Sequence, residues 1–334
     1  MEKYSKWRDA STGIAPFLYP LAPTGNLRIF APFLVLLAAF KTLLVVCCLA
    51  SQVFIDSILL LPVKIVPPFY RLLSGVVNLV ICRLTLFFLG FWWIPVEHVT
   101  LKRSIQSRTK DQPFSPSQGE LIIANHSSII ELIYLKFRYN ATFALPVSST
   151  GSKGSASSKS QITSWRRASL FGAMRSVGSV PERSERGESL YDAVKNAPTA
   201  VVIFPEATTS NNRALLRFAT LHEQAKTTKG TLKTYFMTFK YVEPSTYSSS
   251  ATNPIPSSLI SSILTVASSF TPGLKIRLLN PSECPTLSAS PRALEMETVA
   301  ITLASLGRFK RVNLDWEDKE DFLNFKSTKT KGNK

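Results

Sequence analysis

The sequence predicts an α/β domain preceded by an apolar helical hairpin that sits in a membrane. Three observations carry that prediction. The stretch from residue 29 to 95 is nearly free of charge, and downstream two short apolar runs, Leu121-Ile122-Ile123-Ala124 and Val201-Val202-Ile203-Phe204, each end in a polar loop. Beyond Val96 the composition turns into that of a soluble domain, with apolar runs of strand or helix length separated by polar segments. Two strands that deliver polar residues at their ends place a site at the strand ends of a sheet, where ligands usually bind in α/β folds.

Composition narrows the partners. With 334 residues and 45% hydrophobic content, the chain holds enough apolar material for one sizeable domain and an additional apolar segment. A net charge of +17 calls for an anionic partner: nucleic acid, an anionic membrane surface or phosphorylated small molecules. Nucleic acid is disfavoured, because no zinc-finger or RNA-binding aromatic signature is present and the basic residues border an apolar region. Cys47, Cys48, Cys82 and Cys284 include no pair at metal-ligand spacing, so they are expected to be reduced thiols and no metal site is predicted.

Taken in order, residues 1–28 form a polar N-terminal segment and residues 29–95 the hairpin. Arms at 29–55 and 72–95 each exceed the roughly 20 apolar residues that cross a bilayer, and the prolines at 62, 67 and 68 predict a turn between them. The apolar stretch starts too late and runs too long for a cleaved signal peptide. Lys3, Lys6, Arg8 and Arg28 precede it and Lys102, Arg103, Arg108 and Lys110 follow it, which places both ends on the cytoplasmic face. Lys41 and Arg83 fall near the middle of their arms, where a charge is costly, so between a full span and a shallow or re-entrant hairpin with both cations reaching the headgroups, the shallow form is slightly favoured.

The α/β domain is expected over 96–325. Strands are predicted at 121–124, 200–204, 234–242 and 274–279, with helices at 129–137 and 214–227. Ser-rich stretches near 148–162 and 245–258 read as flexible insertions. The tail at 326–334 carries four lysines without apolar partners and is expected to be disordered, against anionic lipid.

The chemistry concentrates in Asn125-His126-Ser127-Ser128-Ile129-Ile130-Glu131. Inside one helix, positions five apart lie about 500° round the axis and do not share a face. Ser128 and Glu131, however, have the Ser-x-x-Glu spacing of a capping box, so the helix should start at Ser128 and leave His126 in a loop that folds back on the first turn. Glu131 could then bind the imidazole Nδ1 and fix its tautomer for proton transfer at Nε2. It could equally serve only as a cap, and spacing does not choose. His98 and His222 lack an acid five positions on, and no Gly-x-Ser-x-Gly nucleophile elbow is present.

Asn-His-Ser-Ser followed by two apolar residues and an acid resembles the His-x4-Asp motif of the glycerolipid acyltransferases, which make phosphatidic acid and remodel lysophospholipids. Phe204-Pro205-Glu206-Ala207-Thr208-Thr209-Ser210-Asn211 resembles that family's Phe-Pro-Glu-Gly-Thr block, in the Thr-Thr form of lysophosphatidylcholine-type and fungal lysophosphatidic acid enzymes. Gly178-Ser179-Val180-Pro181-Glu182-Arg183 looks like the intervening Gly-x-x-x-x-Arg block. The resemblance spans roughly residues 85 to 280, and the first and third blocks carry it.

The resemblance implies a mixed-sheet glycerolipid-acyltransferase domain and direct acyl transfer from acyl-CoA to the free hydroxyl of a lysophospholipid. His126 would be the base and Glu131 its orienter, while Glu206, Thr208 and Thr209 would position the glycerol and Arg183 or Arg213 the phosphate. Acyl-CoA enters as co-substrate, with no cofactor, and membrane lipids are the remaining partners. The endoplasmic reticulum membrane, with lipid droplets as a second residence, is the implied location. Departures are Glu131 for the usual Asp, Ala207 for Gly, which suggests a position that need not take positive φ, and Thr209 where many members carry Arg. The alternatives are remodelling of another lysophospholipid such as lysophosphatidylcholine, a hydrolase using the same base with water, and a catalytically decayed scaffold.

Overall fold

The computed structural model describes residues 4–20, 31–101, 112–148, 161–221, 230–245, 250–269, 272–289 and 291–332. Arg28, Lys3, Lys102, Arg103, Arg108, Lys110 and most of the first Ser-rich insertion lie outside the described residues.

Two long apolar helices come first. Helix α1 (Ala31–Phe54) runs into a π turn (Ile55–Leu59), and after a 3-10 turn (Pro62–Ile65) helix α2 (Pro67–Phe88) returns. The second arm starts five residues before the sequence suggested, because a proline in the first helical turn lacks an N–H that would have no partner there anyway. The spans Phe33–Leu59 and Pro68–Phe88 are long and apolar enough to cross a membrane, and only 22% and 33% of their most apolar windows are buried. Their outer faces are thus uncovered, with Phe33, Leu36 and Phe40 on α1 and Phe69, Leu72 and Val76 on α2 all exposed.

The hairpin is not a free anchor. Gln52 on α1 donates to Asn78 on α2 (2.7 Å), and Asn78 donates to Asn140 at the end of helix α3 (Ile129–Tyr139; 2.8 Å) in the domain that follows. Lys41 Nζ donates to the Ser269 carbonyl (3.0 Å), and Arg83 donates to the carbonyls of Phe91 and Trp92. Both cations that were expected to reach headgroups therefore have protein acceptors, which lowers the cost of holding them beside an apolar phase.

The domain is built on a mixed sheet. In chain order its strands are β1 (Val96–Val99), β2 (Leu121–Ala124), β3 (Thr142–Ser148), β4 (Gln161–Ala168), β5 (Glu182–Arg183), β6 (Val201–Ile203), then β7 (Ala214–Leu215), β8 (Thr220–Leu221), β9 (Thr231–Leu232), β10 (Thr234–Tyr241), β11 (Leu274–Leu279), β12 (Leu287–Ser288) and β13 (Lys310–Arg311). The main sheet has the order β1-β11-β10-β2-β6-β3-β4-β8, with β5 on β3, while β12 pairs β9 and β13 pairs β7. At its centre β10, β2, β6 and β3 are parallel; β11 and β4 run antiparallel to their inner neighbours.

Both faces of the sheet are covered, so the central strands read as continuous apolar runs. Ile122, Ala124 and Val202 point into one core with α2, α3, α4 (Leu170–Ser176) and α6 (Leu259–Ala267). Leu121, Ile123, Val201 and Ile203 point into the other, with α5 (Leu190–Lys195), α7 (Ala293–Gly307) and Trp316, the first residue of α8 (Trp316–Gly332).

Three expectations change. No helix occupies 214–221: Leu215 faces one core while Ala214 and Leu216 face another, a period of two that belongs to the strand paired with β13. Residues 250–253, in the expected second flexible insertion, are buried, while 246–249 lie outside the described residues. The basic tail is helical through Gly332, because Trp316, Lys319 and Phe322 fix the first turns and each added residue then gains a backbone bond.

Residues 4–20 also pack on this domain. Trp7 and Phe17 share a cluster with Leu216, Val312 and Phe322, and Asn211 donates to the carbonyls of Ala15 and Leu18 (both 2.9 Å). The segment before the hairpin and the domain after it consequently lie on the same side of it.

Candidate active site

Parallel β2 and β6 are neighbours, so the loops that leave their C-terminal ends meet, and these carry Asn125-His126 and Phe204-Pro205-Glu206. Asn125 extends the ladder with its side chain: its amide donates to Phe239 O (3.0 Å) and its oxygen accepts from Phe239 N (2.8 Å). Ser128 is the N-cap of α3, and Glu131 lies in the first turn.

The two readings of Glu131 prove compatible in geometry. Its Oε2 is 2.8 Å from His126 Nδ1, and its carboxylate also accepts the Ser127 N–H at 2.8 and 3.0 Å. One side chain thus both caps the turn and touches the imidazole. The ring of His126 stacks on Phe204 with centroids 4.1 Å apart and planes 16° apart. Burial pushes His126 down to about 3, with the nearby Lys319 charge acting in the same direction. Burial raises Glu131 well above the usual carboxylate range, against the pull of the backbone N–H groups. The imidazole is accordingly neutral near pH 7. Its Nε2 has no hydrogen-bond partner among the described residues.

Glu206 is turned inward. One oxygen accepts His126 N (3.0 Å) and the other Leu216 N (3.1 Å), so the carboxylate ties the two loops together. Burial raises it to about 8, and these N–H groups oppose the shift. Thr208 donates to the Ser179 carbonyl and Thr209 to that of Asn253 (both 2.7 Å). These three residues, expected to hold the acceptor, use their side-chain groups within the fold. Ala207 adopts φ 56°, contrary to what its lack of a glycine suggested. Its N–H closes a turn on Phe204 O (2.9 Å), a geometry that the Cβ makes costly but not forbidden.

The two arginines expected at the phosphate both have carboxylate partners. Arg183 donates to both carboxylate oxygens of Glu320 (2.7 Å) on α8, and Arg213 pairs with Glu243 (3.6 Å) beside a different cavity. Neither lines the cavity that contains His126, of about 290 Å³, whose walls include Val147, Arg166, Arg175, Ser179, Pro181 and Thr208. Arg166 there is 2.9 Å from Glu182.

Several supports were invisible to motif reading. Asn253 N donates to Ser127 O (2.7 Å), and Ser128 Oγ donates to Ala251 O (2.6 Å), so 250–253 straps the histidine loop. Asn212 donates to Ser127 Oγ and to Phe239 O. Lys319 reaches from α8 into the core and donates to Thr209 O (2.8 Å) and Oγ1 (3.2 Å). Burial drives its pKa well below the usual lysine value, while Glu206 pulls it back up. Gly178, with φ 85°, passes so close to the backbone of Ile255 and Pro256 that a Cβ would sit 2.6 Å from it. Only the glycine carried a sequence signal, through the Gly-x-x-x-x-Arg block.

No family model matches the chain, and no solved structure matches it. Over 337 aligned residues it is 29% identical to a protein of Schizosaccharomyces pombe named "Putative lysophosphatidic acid:oleoyl-CoA acyltransferase", covering 98% of this chain and 99% of that protein. This nearly full-length similarity agrees with the resemblance read from the two sequence blocks: the chain is a homologue of a fungal protein named as a lysophosphatidic acid acyltransferase.

Proposed function

We propose that the protein is a membrane-bound acyltransferase that moves a fatty acyl chain from acyl-CoA to the free hydroxyl of a lysophospholipid, with lysophosphatidic acid as acceptor and phosphatidic acid as product. The observation that carries the proposal is the buried His126–Glu131 contact of 2.8 Å at the edge of a cavity. The named activity of the S. pombe homologue supports the acyl-CoA and lysophosphatidic acid assignment.

In this mechanism neutral His126 Nε2 takes the proton of the acceptor hydroxyl as its oxygen attacks the thioester carbonyl. The step needs Glu131 as the carboxylate: it then accepts Nδ1–H and its charge stabilises the imidazolium that results, an attraction that opposes the upward push of burial on Glu131 itself. The tetrahedral intermediate then expels the CoA sulfur, which receives the proton from Nε2, leaving an ester and CoA-SH. Stacking on Phe204 and the bonds of Ser127 and Asn253 keep the ring in one orientation. The chain works at the cytoplasmic face of the endoplasmic reticulum, and a shallow hairpin also suits a lipid-droplet monolayer.

Purified protein incubated with labelled oleoyl-CoA, with and without lysophosphatidic acid, tests the reading. Lipid product that depends on the acceptor is expected. CoA release without acceptor would make the chain a hydrolase, and no turnover of any kind would make it a scaffold. A parallel series with lysophosphatidylcholine decides the headgroup.

A further inference from the structure

The cavity that holds His126 has a second compartment beside it. A groove of about 820 Å³ runs between α1, α4 and α6, with walls that include Val46, Ala50, Val53, Phe171 and Ile260. Arg175 lines both spaces. Its neighbour on α4 is the Phe171 ring, 5.6 Å from the guanidinium carbon. Among the described residues no carboxylate lies within ion-pair distance of it, whereas Arg166, the other arginine of the catalytic cavity, is paired with Glu182.

The geometry points to a binding site for the acceptor: the phosphate of lysophosphatidic acid sits on Arg175 and its hydrocarbon chain lies in the groove between α1, α4 and α6. This assignment rests on the proposed acyl transfer and adds the residue and surface that select the acceptor. An amphiphile needs an anion site and an apolar trough that meet at one point, and Arg175 stands at that junction. A guanidinium suits a phosphate because it offers paired N–H donors. With its phosphate there, the glycerol portion enters the cavity that His126 lines.

The groove also lies where a membrane lipid can reach it. Phe171, Ile260 and Leu264 of the α/β domain are exposed and continue the exposed apolar surface of α1 at Val53 and Phe54. The bond from Lys41 to Ser269 shows that α1 runs alongside the end of α6. A lysolipid can therefore slide in from the bilayer without its chain crossing water. Acyl-CoA, carrying a polar nucleotide, has no such need.

Equilibrium binding of lysophosphatidic acid, of the matching monoacylglycerol and of oleoyl-CoA to the full-length protein in detergent, each ligand alone so that no turnover occurs, tests the assignment. Arg175→Gln should weaken lysophosphatidic acid about 10- to 100-fold and leave monoacylglycerol unchanged, with partial recovery in Arg175→Lys. Ala50→Trp, at an exposed helix position on the groove wall, should weaken both single-chain lipids. Wild-type binding of lysophosphatidic acid by either Arg175→Gln or Ala50→Trp overturns the proposal. So does an Ala50→Trp effect confined to oleoyl-CoA, which would give the groove to the donor. Failure of the acyltransferase reading is a separate result: wild-type protein would bind lysophosphatidic acid through Arg175 yet form no product.

Discussion

An imidazole can take a proton from a hydroxyl only while it is neutral, and burial enforces that at His126. Its pKa is pushed down to about 3, so its proton is gained far below the usual histidine range near 6.5. As the pH falls from about 7.5 to about 5.5, the base remains available, and kcat/KM for acyl-CoA at saturating acceptor should change by no more than about twofold. An acid limb with a midpoint near 6.5 would show an ordinary, solvated histidine. Glu131 gives a second test. Glu131→Gln should cost about 10- to 100-fold in kcat, the worth of a hydrogen bond to a charged group, whereas Glu131→Asp should keep the larger share. Equal activity of the Gln variant and wild type would reduce Glu131 to its bond with Ser127 N. Five-residue spacing in the sequence suggested this contact, but not that one carboxyl group meets both the imidazole and Ser127 N. It misread Ala207, because residue type alone does not report φ. Ala207→Gly should keep activity with unchanged or higher melting temperature, while Ala207→Val, β-branched at positive φ, should lower it.

Among the elements, α3 was legible because the Ser128 cap and the apolar residues after it agree in one frame. The segment at 214–221 was not, since its eight residues, six of them apolar, fit a helix face as well as buried strands, and only pairing with β13 and β4 decides. Helix α8 was hidden for a different reason. Its link to the site is Lys319, one lysine in a charged run, and nothing local distinguishes it from its solvated neighbours. Lys319→Met should leave the Thr209 carbonyl buried without a donor and lower stability by about 1–3 kcal/mol, read by thermal unfolding in detergent. Unchanged unfolding would show that the helix does not support the Thr208-Thr209 loop.

At the scale of the molecule, charge flanking an apolar stretch was enough to suggest a hairpin. What it could not show is that α2 packs on α3 through Asn78 and Asn140, or that Trp7 and Phe17 dock on α8 with Phe322. Such contacts join residues far apart in sequence and leave no periodic trace. For a hairpin inserted in a membrane, they put residues 4–20 and the domain on one side. In sealed microsomes, protease should remove an N-terminal tag and the domain together; protection of the tag alone would contradict the hairpin.

Proteoliposomes containing wild-type protein or His126→Ala, supplied with labelled oleoyl-CoA and lysophosphatidic acid, put the acyl-transfer claim to its most direct test. Both proteins should float equally with the vesicles, and the variant should form phosphatidic acid about 10²- to 10⁴-fold more slowly. Near-normal product from His126→Ala would contradict the assignment of the base.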